Sequence, residues 1–162
     1  MNFNKFLSKF LPEITASAHC DIPCGIYEPT PAKIAAVTVR RMAEQIKGIE
    51  KPKESDAEAI SHYHNDVGRR IQVKEEHAQL CKKELLILWT DFFKPEHLEK
   101  FPNLHEKFWN AAKLCSKNKQ DVDTELAQQL VDAVDEIAKI FYTAKGAPER
   151  FEAYKTLTDK LY

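Results

Sequence analysis

The chain has 162 residues, a length that suits one domain burying roughly 68–70% of the surface its unfolded chain exposes. Lys and Arg number 24 against 25 Asp and Glu, a net charge of -1, which argues against a domain organised around nucleic-acid phosphates. Only 4 Gly among 43% apolar and 30% charged residues disfavour a turn-rich all-β fold, and no apolar run approaches the roughly 20 residues of a membrane helix.

Residues 1–18 stand apart. Phe3, Phe6, Leu7, Phe10, Leu11 and Ile14 recur at helical spacing with Lys5 and Lys9 between them, which predicts a short amphipathic leader. A secretory core needs about 7–15 continuous apolar residues, and no such run occurs here, although Ala16-Ser17-Ala18 imitates a cleavage site. Residues 19–30 form a compact loop punctuated by Pro23, Gly25 and Pro29. Helical signals fill 31–145. Thr30-Pro31 reads as an N-cap followed by proline at the first helical position. Val39, Met42, Ile46 and Ile49 give the first apolar stripe, ended by Gly48 and Pro52.

Ser55-Asp56-Ala57-Glu58 has the form of a capping box opening a long second helix. Its stripe runs Ile60, Val67, Ile71, Cys81, Leu85 and Leu88, with one gap between Ile71 and Cys81. Lys94-Pro95 closes that helix, and after one short turn Pro102 opens the third, whose inner face is Leu104, Phe108, Ala111 and Cys115. Asp121 is the predicted cap of the fourth, with Leu126, Leu130, Val134, Ile137 and Phe141 inward. Gly146 and Pro148 stop it and leave a C-terminal helical tail within 146–162. Long amphipathic segments with short connections predict an all-α, antiparallel up-down four-helix bundle.

Chemistry concentrates in His19-Cys20-Asp21-Ile22-Pro23-Cys24-Gly25-Ile26-Tyr27, an N-terminal metal-binding hook in front of the bundle. Two thiolates and an imidazole within six residues can reach one ion, and Pro23 and Gly25 bend the chain so that both sulfurs face one point. Cys-x3-Cys by itself fits a redox pair or half of a zinc site; zinc would ordinarily bring a second Cys/His pair, and none follows. Cleavage between Ala18 and His19 would free an α-amine. With the Cys20 backbone nitrogen and two thiolates it makes a planar N2S2 set, a geometry that favours nickel(II) or copper(II).

On these residues the chain resembles the nickel-containing superoxide dismutases, whose nickel hook is similar to the run His19 to Pro29. A second similarity is Leu88-Trp89-Thr90-Asp91-Phe92-Phe93-Lys94-Pro95, followed by His97, Phe101-Pro102 and Leu104-His105, and the resemblance covers about residues 19–145. It implies removal of the leader by a dedicated protease, so that His19 becomes the mature N-terminus. It implies nickel, one per chain, bound by the His19 amine, the Cys20 amide nitrogen and the Cys20 and Cys24 thiolates, with the His19 imidazole axial in the oxidised state. Tyr27 is implied beside the open face, limiting access; Asp21 and Pro23 shape the hook. The family further implies a homo-hexamer with each hook at a subunit boundary, acting on superoxide; a cytoplasmic location is expected, and charge and hydropathy predict neither nucleic acid nor membrane as a partner. A glutamate and an arginine that orient the axial ring in well-known members correspond here to Ala35 and His77, leaving His77 as the group able to hydrogen-bond the ring.

The remaining candidates have plainer readings. Cys81 and Cys115 lie on apolar phases and read as buried free thiols. His62 and His64, two apart, point to different faces. His77 and Cys81, four apart, share a face, where packing plus a hydrogen bond is the favoured reading. His97 and His105 read as structural or interfacial, and Trp89, Phe92, Phe93, Phe101, Phe108 and Trp109 as core or subunit interface. The leading function is therefore superoxide disproportionation at a nickel centre. The alternatives are a non-catalytic nickel or copper delivery module, and a helical interaction protein whose Cys20 and Cys24 form a disulfide.

Overall fold

A computed structural model describes residues 24–161. The predicted leader and the hook residues His19, Cys20, Asp21 and Pro23 lie outside the described residues. Four long helices are present: α1 over Thr30–Lys47, α2 over Ala57–Ile87, α4 over Leu104–Gln120 and α5 over Thr124–Ala144. A π-helical turn over Leu88–Phe92 and the short α3 over His97–Lys100 join α2 to α4, and α6 over Arg150–Thr158 follows α5. α1 packs on α2 and α5, and α4 also packs on α2 and α5. With short connections between them, the four make the expected antiparallel bundle.

Three caps sit one or two residues from their expected places. Pro29 precedes α1, and Thr30 turns its hydroxyl to Glu28 Oε1 at 3.2 Å instead of capping. At α2 the extended backbone of Asp56, not Ser55, lets a side chain accept the Ala59 N–H at 2.9 Å. At α5 the cap is Asp123, which accepts from Glu125 at 2.8 Å and Leu126 at 3.1 Å. Asp121 instead terminates α4, its N–H bonded to Lys117 O. These acids satisfy amide donors that the first helical turn leaves unpaired.

The core is built as predicted from Leu104, Phe108, Ala111 and Cys115 on α4 and Leu130, Val134, Ile137 and Phe141 on α5, all buried. Leu126 is only half-buried. α1 departs from expectation: Met42, Ile46 and Ile49 are half-buried, while Ala32, Ala35, Ala36, Val39 and Ala43 form the buried face. Small side chains let α1 approach its neighbours closely, and a stripe read from large residues alone misses them.

The gap in the α2 stripe is filled by Lys74 and Ala78. Lys74 is 1% exposed. Its ammonium donates to the carbonyls of Asn118, Lys119 (3.4 Å) and Asp121 (2.8 Å), acceptors that α4 leaves open at its end. Burial lowers its pKa, partly opposed by Glu75 and Asp121. These contacts put the end of α4 level with Lys74. The earlier part of α2 runs past α4, which is why Ile60, Val67 and Ile71 stay half-buried.

α6 docks through charge. Lys33, buried on α1, reaches Asp135 of α5 at 2.7 Å. From α6, Tyr154 donates to the same carboxylate at 3.0 Å and Lys155 pairs with it at 2.8 Å.

Candidate metal centre

Cys24, Gly25 and Ile26 are exposed at the start of the described residues. Gly25 has φ +68, and an added Cβ there would meet nothing within 4 Å. Glycine is therefore required by the left-handed backbone and not by space. The turn brings the Ile26 N–H to 3.4 Å from Cys24 Sγ. An N–H aimed at sulfur complements the negative charge of a thiolate, the form in which cysteine binds metal.

Behind this exposed tip the loop is anchored. The half-buried Tyr27 ring lies 5.7 Å from Phe92, and Phe92 lies 4.4 Å from Phe141 in the core. Phe92 ends the π-helical turn, where Phe93 N–H bonds Leu88 O at 3.2 Å. Lys145, which follows α5, donates to Tyr27 O at 3.3 Å. Tyr142 donates its hydroxyl to Glu28 Oε1, and Arg150 Nη2 reaches Glu28 Oε2 at 3.4 Å. Burial, then the hydrogen bond to Glu28, drives the Tyr142 pKa well up, so the phenol stays a donor. Pro29 is fully buried and fixes the entry to α1.

The other predicted residues occupy separate places. Ala35 is in the core. His77 is half-buried on α2 and its Nδ1 meets Val73 O at 2.9 Å, the hydrogen bond expected of it. Cys81 is no partner for His77 in metal binding: it is fully buried, and its hydrogen bond to Cys115, followed by burial, pushes its thiol pKa far up. Cys81 and Cys115 are thus the predicted free buried thiols. His62 and His64 are exposed. His97 accepts the Lys94 N–H at 3.0 Å, and His105 accepts Trp89 Nε1 at 2.7 Å. Trp109 is not core; it is 56% exposed, under the Lys113 ammonium at 4.4 Å.

Among the described residues no cluster of three or more His, Cys, Asp or Glu could hold a metal ion. Cys24 is the one expected ligand within them, and an exposed thiol on a tight glycine turn fits a thiolate donor. Sequence reasoning missed Tyr142, Lys145 and Arg150 as anchors of the loop. They lie more than a hundred residues from it, with no local signal to connect them.

A family model described as nickel-containing superoxide dismutase matches residues 14–145. The nickel superoxide dismutase of Streptomyces coelicolor is 37% identical over 138 residues, 85% of this chain and 96% of the relative. That of Streptomyces seoulensis is 36% identical over the same shares. A native nickel superoxide dismutase structure superposes with a TM-score of 0.69 at 35% identity, covering 80% of this chain and 100% of its own. A nickel-containing superoxide dismutase structure with its nickel ligation corresponding to the oxidised state gives a TM-score of 0.67 at 36% identity, again with 80% and 100% coverage.

Proposed function

Because the chain belongs to the nickel-containing superoxide dismutase family, we propose that its nickel is held in the hook by His19, Cys20 and Cys24. The enzyme disproportionates superoxide: two superoxide anions and two protons become O2 and H2O2. When bound, nickel supplies a one-electron couple between Ni(III) and Ni(II). The donors that would hold it are the His19 amine and imidazole, the Cys20 amide nitrogen and the Cys20 and Cys24 thiolates. This ligand set requires cleavage before His19 by a leader-processing protease.

The chain's own residues set access and charge. Gly25 turns the loop, and the Ile26 N–H supports the Cys24 sulfur. Tyr27, held against Phe92, limits approach to the open face, and Asp21 and Pro23 shape the hook. Lys145 and Arg150 at the stem add positive charge that attracts an anionic substrate. His77 donates Nδ1–H to Val73 O, which leaves Nε2 as the ring atom that would hydrogen-bond the His19 imidazole. Exposed Ile34, Leu80, Leu86 and Trp109 are apolar surface of the kind a homo-hexamer covers. No helix among the described residues is long and apolar enough to cross a membrane. We place the enzyme in the cytoplasm because the leader has no secretory apolar core.

The observation that carries the ligand assignment is the exposed Cys24 thiol on its glycine turn, inside the family-matched stretch. Metal content and intact mass measured on one native sample test it. A single nickel per chain in a species beginning at His19 is expected. Zinc, or no metal, in a correctly cleaved chain would overturn it. Superoxide turnover by that species separates the dismutase from a delivery module that merely carries the metal.

A further inference from the structure

α6 lies beyond residue 145, where the family match ends, yet its first residue touches the loop that bears Cys24. Arg150 Nη2 is 3.4 Å from Glu28 Oε2, and its guanidinium stands 5.4 Å over the Tyr142 ring. Tyr142 donates to the other oxygen of the same carboxylate. Glu28 is thus gripped from two sides, four residues after Cys24.

The grip is rigidly mounted. Gly146, at φ +76, turns the chain out of α5, and Ala147 N–H returns to Tyr142 O at 2.9 Å. Tyr154, 4% exposed, and Lys155 fasten α6 to Asp135. Arg150 therefore sits on a helix that buried partners hold in place, while the loop tip it secures is exposed.

We propose that α6 is a brace for the metal loop, with Arg150 as a positioning residue that acts through Glu28 on the placement of Cys24. The proposal rests on the reading of residues 19–28 as the nickel site. A helix that merely covers Asp135 and Lys33 would give Arg150 no influence on the loop. A brace makes loop order and metal retention depend on Arg150 while the bundle stays unchanged.

The test uses the processed full chain with Arg150→Ala, Arg150→Lys, Glu28→Gln and the double variant Glu28→Gln/Arg150→Ala. Amide hydrogen exchange is followed at Ile26, Tyr27 and Glu28 in the metal-free protein, with α5 core amides as the internal control. Nickel release to a chelator is followed in the loaded protein. Arg150→Ala should speed both by roughly two- to five-fold, the reach of a half-exposed ion pair. The α5 amides should not change, and Arg150→Lys should restore part of the loss. In the Glu28→Gln background Arg150→Ala should add little, because contacting residues are coupled. Unchanged loop exchange in Arg150→Ala, or an equal effect in both backgrounds, would overturn the brace. A processed wild type that holds no nickel would overturn the site reading instead, and exchange in the metal-free chain would still decide the brace.

Discussion

Two regions of the molecule hold their charged groups in opposite ways. Where α2 meets the end of α4, Lys74 is sealed from water and its ammonium is spent on backbone carbonyls. At the stem of the metal loop, Glu28 is partly exposed and faces an arginine that is itself 51% exposed. The first arrangement is costly to disturb, since removing one partner strands buried acceptors. The second is held by contacts that water and salt can weaken. The bundle therefore carries the stability, and the loop can be altered chemically without unfolding what supports it.

The sharpest way to test that division is Cys24→Ser, which takes a ligand from the loop. Dismutase activity and nickel content should fall by more than roughly a hundredfold, beyond the loss typical of altering a group that only supports a ligand. Thermal unfolding of the metal-free chain should stay within about 0.5 kcal/mol of wild type. Equal loss of stability would break the comparison. Lys74→Ala is the converse. It leaves the end of α4 without donors and opens a void, so chemical denaturation should show a loss of about 2–4 kcal/mol. Turnover per nickel-loaded chain should be preserved.

Phe92 belongs to both regions, with Tyr27 on one side and Phe141 on the other. Phe92→Ala should cost about 2–3 kcal/mol, less than a fully buried ring because Phe92 is half-buried. It should also speed nickel release, a coupling that neither preceding variant shows. The smallest effect concerns acid. The N–H groups of Leu126 and Glu125 hold the Asp123 carboxyl below its ordinary 3.8. A lowered folded value stabilises the protein fully above that ordinary value and loses its contribution as pH falls through the folded one. Asp123→Asn should therefore flatten the stability profile below about pH 4 and leave its upper part parallel to wild type, as acid titrations monitored by circular dichroism would show.

Legibility in the sequence followed the range of the interaction. The inner faces of α4 and α5 were readable because large apolar residues recur at helical spacing, whereas the hook stands as a candidate because its ligand types crowd into a few positions. The inner face of α1 was not, since alanine carries little weight in an apolar stripe even where helices meet closely. Lys74 broke the α2 stripe because a lysine satisfied by carbonyls looks, in one dimension, like any surface lysine. The caps were misplaced among neighbouring polar residues: Ser55 or Asp56, Asp121 or Asp123. Backbone angle selects between such neighbours, as the φ of -125 and ψ of 118 at Asp123 illustrate. The union of Glu28 with Tyr142 and Arg150 had no local trace at all, because it spans 114 and 122 positions.

The π-helical turn at Leu88–Phe92 sets the direction in which the residues after it point. An α-helix advances about 100° per residue, so widening one turn resets the angular phase of everything after it. Each π-type bond spans one residue more than an α-type bond, so the turn absorbs an extra residue; without that widening Phe92 and Phe93 would be turned about a quarter-turn away from Tyr27 and the core. Many single substitutions there leave the phase intact. The placement of Phe92 and Phe93 thus depends on the width of this turn more than on most of the identities within it.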